Sequence, residues 1–171
     1  MTLADVTPAD TTVPGMDTPD PTALAAKLAA FIRTEIPLAH AMDLRLLGYD
    51  DDCLRLAAPL GPNVNDKGCA FGGSLVSAMT LAGWALVELA LQRRGEHCDV
   101  FVAESTVRYL QPVWSDFNSE ARLPMEASWA TFFATLAARG KARIEVACLV
   151  PGTDGQPAAT LSARFVAKRR G

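Results

Sequence analysis

The sequence predicts an α+β domain in which an antiparallel sheet wraps around one long buried helix. Three observations predict it. Residues 71–91 form a long apolar stretch whose single charge is Glu88, and a helix that is apolar on every face has to be enclosed. The segments around it alternate apolar and polar residues and are joined by short turns, which implies antiparallel strands. A polar loop, 63–68, leads to Gly72-Gly73 at the head of the apolar stretch, so the helix begins with bare backbone.

Each element has its own signal. Asp20-Pro21 supplies an N-cap followed by proline at the first helical position. Leu24, Leu28, Phe31 and Ile32 then recur at helical spacing, and Pro37 sets the limit of that helix. Residues 42–60 suggest a strand pair, with Leu44, Leu46, Leu54 and Leu56 among polar alternates and Tyr49-Asp50-Asp51-Asp52 as the turn. The central helix should end near Arg93-Arg94-Gly95, as helix C-termini favour basic residues and glycine. Residues 98–113 carry the β-formers Val100, Val102, Val107 and Tyr109, with Pro112 ending or edging the strand. A second strand is expected over Phe117 to Leu123. Trp129, Phe132, Phe133 and Leu136 fall at i, i+3, i+4 and i+7, an amphipathic helix closed by Gly140. Ile144 to Val150 and Thr160 to Ala167 are the last strands, joined by a turn at Gly152, Asp154 and Gly155.

Composition narrows the function. A chain of 171 residues fits one domain, 21–171, preceded by a flexible polar lead-in, 1–20, that holds no Lys or Arg. That segment lacks the basic and apolar regions of a signal peptide. The net charge of −3 gives no basic field for nucleic acid. The basic residues Arg164, Lys168, Arg169 and Arg170 read as a solvated end. Cys53, Cys69, Cys98 and Cys148 form no C-x-x-C pair, and His40 and His97 lie far apart, so no metal site is expected. Scattered thiols without a secretion signal point to the cytoplasm. The stretch from Phe71 to Leu91 is long enough to span a membrane. Its Gly72, Gly73, Ser74, Ser77, Thr80 and Gly83 make it a poor lipid-facing helix, so burial inside the domain is the reading adopted.

The combined string is more specific than any of its parts. Asn63-x-Asn65-Asp66-Lys67-Gly68, Phe71-Gly72-Gly73-Ser74-Leu75 and Thr80-Leu81-Ala82-Gly83-Trp84 resemble the YiiD C-terminal family of thioesterases. So do Tyr109-x-x-Pro112-Val113, Asp116-Phe117 and Gly140-Lys141-Ala142-Arg143-Ile144. The resemblance spans roughly residues 22–169 and implies the hotdog fold, a curved antiparallel sheet around one central helix. It also implies a homodimer or a dimer of dimers. The implied substrates are acyl groups on coenzyme A or acyl carrier protein, with coenzyme A or phosphopantetheine as part of the substrate and no separate cofactor.

Thioester hydrolysis needs a polarised carbonyl, a positioned water and a way to manage the thiolate. Backbone N–H groups at a helix start can supply the first, and Gly73 and Ser74 are the candidates. Gly72-Gly73 also reads simply as a tight turn with close helix–sheet packing. In PaaI-type relatives an acid seven residues after the second glycine activates water, and a His often precedes the glycines; these positions are Thr80 and Phe71. Threonine holds water without ionising. Asn65 can therefore orient water or substrate, and Asp66 can act as base if buried beside the helix start, or else serve the turn. Asn63, Phe71, Gly72, Ser74, Ser77 and Trp84 are further substrate-binding candidates, with core packing as the alternative for Ser77, Thr80 and Trp84. Glu88 is either a supporting partner or a subunit contact. Cys69 is a rival nucleophile, its alternative a small buried residue. Lys141 and Arg143, with Arg139, are candidates for coenzyme A phosphates or a solvated strand edge. Two other functions suit the resemblance: a malonyl-thioester decarboxylase or condensing enzyme of fatty-acid initiation, and a non-catalytic acyl-CoA binding module.

Overall fold

A computed structural model describes residues 20–170, so the 1–19 part of the lead-in lies outside the described residues. Helix α1, Pro21–Glu35, opens as its sequence dictates: the Asp20 carboxylate accepts a hydrogen bond from the Thr22 N–H at 3.1 Å, with proline in the first turn. Ala25, Leu28 and Ile32 are buried, whereas Phe31, expected on the same face, is 51% exposed. Proline ends α1 and also starts a short second helix, α2, Pro37–Ala41, which the spacing did not foretell. Proline tolerates a first helical position because its missing N–H would be unpaired there.

Strands β1, Arg45–Asp50, and β2, Cys53–Ala58, pair as a hairpin. Its two-residue turn, Asp51-Asp52, has φ of 45° and 54°, the left-handed geometry that matches the twist of the flanking strands. A single 3-10 turn, Gly61–Asn63, follows. The central helix α3 runs from Gly72 to Arg93. Strand β3, Cys98–Tyr109, ends three residues before Pro112, where the Leu110 and Gln111 N–H groups both donate to the Ala158 carbonyl. Strand β4 is Phe117–Arg122. Helix α4, Trp129–Arg139, is capped by Ser128 and closed by Gly140 at φ 66°. Strands β5, Lys141–Pro151, and β6, Pro157–Arg169, form a longer hairpin than the hydrophobic runs indicated.

The sheet order is β1-β2-β4-β5-β6-β3, and every neighbouring pair is antiparallel. Helix α3 packs against β2, β3, β4, β5 and β6 and is crossed on its other side by α1. Its length and hydropathy alone would suit a membrane span, but here its apolar faces form the core. Leu75, Met79, Ala82, Leu86 and Leu89 are buried, together with Leu54, Leu56, Ile144, Val146 and Phe165 from the sheet. Gly83 permits the closest approach: a Cβ there would lie 3.0 Å from the Phe165 ring and 3.1 Å from the Cys148 Sγ.

Strand β3 is less covered than its sequence suggests. Cys98 and Val100 are buried, but from Phe101 onward both faces are open, including Phe101, Val102 and Tyr109. The adjacent stripe of α3, Ser77, Thr80, Leu81, Trp84 and Glu88, is only half-buried. The sheet has two unpaired edges, β1 and β3, and the incompletely covered face of the central helix lies on the β3 side.

Candidate active site

The loop before α3 is built from its amides. Asn63 is fully buried, and its Nδ2 donates to the Met42 carbonyl at 2.9 Å and the Pro59 carbonyl at 2.8 Å, tying the loop to α2 and β2. Its backbone carbonyl accepts from the Phe71 N–H at 2.7 Å. Asn65 Oδ1 accepts from the N–H groups of Lys67 and Cys69, and its Nδ2 lies 3.2 Å from the Cys69 Sγ. Gly68, at φ 86°, turns the chain so that Val64 and Ala70 pair across the loop. Ala70 then donates to Val113 at 2.7 Å. The asparagines thus fix where α3 begins. Asn63 has spent its donors on this task, and Asn65 keeps one side-chain N–H free of the backbone.

At that point α3 has no side-chain cap and no acidic residue in its first turn. A helix of 22 residues so arranged presents unpaired N–H groups and the positive end of its dipole. Leu75 is the first residue of the helix to bond back, to the Phe71 carbonyl. The N–H groups of Gly72, Gly73 and Ser74 are left for another acceptor. Two aromatic rings lie against the glycines. A Cβ at Gly73 would strike the Phe71 ring, and one at Gly72 would lie 3.3 Å from the Tyr109 ring, whose hydroxyl donates to the Gly72 carbonyl at 3.2 Å. Phe71 and Tyr109 are both more than half exposed. A cavity of about 320 Å³ beside them is lined by Ala70, Gly72, Leu75, Tyr109, Leu110 and Pro112. The sequence marks Tyr109 as a β-former and as part of a motif; its place against Gly72 follows from where β3 stops.

The remaining candidates separate. Asp66 does not pack beside the helix start: its side chain is 79% exposed and both oxygens lie 2.9 Å from the Lys67 ammonium. A carboxylate in a hairpin tip between Asn65 and Gly68 has no apolar neighbour to draw it inward. Thr80 and Ser77 lie half-buried along the open stripe of α3, Thr80 about 10 Å along the axis from Gly73. Trp84 Nε1 donates to the Val100 carbonyl at 3.1 Å, which occupies its polar atom. Glu88 is the only carboxylate on α3. Burial raises its pKa, with Asp99 adding to the shift and Arg170 opposing it. Cys69 is buried and holds only the Asn65 amide near its sulfur. His97 stands beyond the other end of α3, so it cannot serve as base for that thiol. Cys148 is inert for a different reason: burial pushes its thiol up to about 12.

Lys141 and Arg143 lie far from the helix start of their own chain. Tyr109 is in register with Ala159 and so with Val150, whereas Lys141 is in register with Lys168 at the other end of the sheet. At 3.3 Å per residue the separation is about 30 Å for Lys141 and about 23 Å for Arg143. Among the described residues no group of three or more His, Cys, Asp or Glu side chains forms a metal site.

The sequence matches the family described as "Putative thioesterase (yiiD_Cterm)" over residues 25–169. The chain belongs to that family. Its fold agrees with solved structures. A Chlorobaculum tepidum protein of unknown function is 31% identical, with a TM-score of 0.80, covering 86% of this chain and 95% of that one. A Shewanella oneidensis protein described as a "putative thioesterase" is 29% identical, with a TM-score of 0.76, covering 85% and 98%. A Pseudomonas aeruginosa protein described as a "probable thioesterase" is 25% identical, with a TM-score of 0.73, covering 90% and 99%. The architecture, an antiparallel six-stranded sheet around a central helix, is the hotdog fold.

Proposed function

We propose that this YiiD_C-family member hydrolyses acyl thioesters of coenzyme A or acyl carrier protein at the start of α3. The uncapped, acid-free first turn between the rings of Phe71 and Tyr109 carries this reading. A thioester carbonyl set between the rings meets the N–H groups of Gly73 and Ser74, which are already oriented and favour the negative charge that develops on oxygen. Gly72 and Gly73 let the substrate reach the backbone, and Phe71 flanks it. Water attacks the carbonyl carbon, the C–S bond breaks, and a carboxylic acid and a thiol leave. In this reading Asn65 holds the water at the helix start, and Thr80, about 10 Å further along α3, meets it only across a dimer interface. Asp66, the sole carboxylate of the loop, is exposed and paired with Lys67 in one chain, so it takes the proton only where a second copy encloses the loop. Ser77 and Trp84 line the acyl channel.

The reading includes a homodimer. The bare β3 edge and the half-buried stripe of α3 face the same way, and a second copy paired edge to edge along β3 would cover both. That copy would also enclose the loop holding Asp66. Thiol release across a panel of acyl-CoA chain lengths and acyl carrier protein thioesters tests the proposal. Turnover above background supports it. CO₂ release from malonyl thioesters without hydrolysis would assign the decarboxylase role instead. Tight binding with unaltered ligand would make the protein a binding module.

A further inference from the structure

Nine of the sixteen Lys and Arg side chains have a carboxylate within 4.0 Å. Of the other seven, which have none among the described residues, Lys27 lies on α1, Arg94 follows α3 and Arg108 is near the Tyr109 end of β3, whereas Arg139, Lys141, Arg143 and Lys168 cluster at one end of the sheet. Lys141 and Lys168 are direct cross-strand partners, a like-charge pairing that is unfavourable in isolation. Asp99, the next residue across from Lys168, is bound to Arg170 at 2.8 Å and does not offset them. The following row on this outer face is Arg143, Val166 and Phe101, and Phe101 is 60% exposed. Beyond it Arg164 is closed by Glu145 at 2.6 Å and Glu104 at 3.1 Å. The basic cluster is therefore bounded on one side by an internally neutralised row.

Its shape distinguishes among anionic ligands. An open cavity of about 460 Å³ is lined by Thr135, Arg139, Lys141, Ala142 and Arg143. All four cations are exposed. A small anion is held by convergent, partly buried donors, which this surface lacks. Arg139, Arg143 and an exposed aromatic ring suit a protein interface, where aromatic residues and Arg are enriched, and Lys141 and Lys168 add the positive potential that steers an acidic partner.

Position adds a second argument, which rests on the thioesterase reading and its dimer. Antiparallel pairing of two β3 edges sets the Cys98 end of one copy beside the Tyr109 end of the other. Strands β6 and β5 of the second copy then stand two and three strands away, about 10 and 14 Å. The distance of about 23–30 Å that separates the cluster from its own helix start is folded back across the two-fold axis.

We propose that this basic end of the outer sheet face docks an acidic carrier protein and presents its thioester to the helix start of the other copy. The test uses one acyl group on three carriers: N-acetylcysteamine, coenzyme A and an acidic acyl carrier protein. The variant is Lys141→Glu/Arg143→Glu/Lys168→Glu in the full chain, with Lys141→Gln/Lys168→Gln as the milder form should the triple variant melt early. The expected result is a fall on the order of tenfold or more in kcat/KM for the carrier protein alone, the range that steering charges command. The fall should shrink between about 50 and 300 mM salt. Equal loss with coenzyme A would mean that the cluster reads nucleotide phosphates and would overturn the proposal, as would no loss with any carrier. If the wild type hydrolyses none of the three, the thioesterase reading fails. Docking is then read directly by titrating the carrier protein into wild type and variant: salt-sensitive binding lost in the variant upholds the interface, and absence of binding by the wild type overturns it.

Discussion

The same substitution at two glycines of α3 should give opposite results, and the difference follows from what each Cβ meets. In Gly83→Ala the new methyl lies 3.0 Å from two atoms of the Phe165 ring and 3.1 Å from the Cys148 sulfur. Both neighbours are buried, so ordinary contact at 3.5–4.0 Å requires core atoms to move by about 0.5 Å. Overpacking of that kind costs about 2–3 kcal/mol in a tightly built core. Replacing a mid-helix glycine by alanine returns about 1 kcal/mol. The net loss is about 1–2 kcal/mol, a drop in Tm of about 2–8 °C for a domain of this size. In Gly73→Ala the methyl meets only the Phe71 ring, on a side chain that is 56% exposed and free to swing aside. Tm should stay within about 2 °C of the wild type. The displaced ring and the methyl then stand over the N–H groups of the first turn, and kcat/KM should fall by about 10²–10³, the worth of a carbonyl-holding donor. Thermal melts and thiol release on one acyl-CoA read both variants. Phe71→Ala in the Gly73→Ala background should recover part of the turnover, because the methyl then occupies space the ring has left. A Gly83→Ala Tm at or above the wild type would refute the packing argument. Full turnover in Gly73→Ala would refute the site.

Three further outcomes are expected. Asn63→Ala leaves the Met42 and Pro59 carbonyls without their buried donor, so urea unfolding should show a loss of about 2–4 kcal/mol; an unchanged midpoint would refute the loop's dependence on that amide. Glu88→Gln should raise stability at pH 7. The folded-state pKa of Glu88 lies above its unfolded value because of burial, so its contribution is fully present below the unfolded pKa and is lost as pH rises through the folded one. The Tm gap between variant and wild type should therefore close as pH is lowered towards about 4, and a pH-independent gap would contradict the assignment. Asp66→Asn should abolish most hydrolysis while leaving Tm within about 2 °C, since the side chain is exposed; retained turnover would remove Asp66 from the mechanism.

Much of the fold was legible because its signals are local. Asp20-Pro21, the Asp51-Asp52 turn, Gly140 and the apolar run of α3 each act over a few residues, and each places its element as expected. The double glycine marked the helix start for the same reason. What the sequence could not give depends on contacts between distant segments. Tyr109 meets Gly72 only because β3 ends where it does. Asn65 and Asp66 are adjacent in sequence, yet one turns into the loop and the other into solvent. That difference is set by the Val64–Ala70 pairing, not by residue type.

The basic residues carry the same lesson further. Lys141 and Arg143 follow Gly140 in sequence, and by residue type they suit a phosphate as well as an acidic protein. Register decides their neighbours: it brings Lys168 opposite Lys141 and Phe101 into the row of Arg143. It also puts about 23–30 Å between them and the helix start of their own chain. A residue that must act at that start from this distance has to act on a second copy, and β3 is the edge that offers one. The proposed dimer would give the bare β3 edge, the half-buried stripe of α3 and the unneutralised cluster one common explanation. If the protein runs as a monomer on sizing at micromolar concentration, all three lose their common explanation, and Lys141 and Arg143 revert to a solvated strand end.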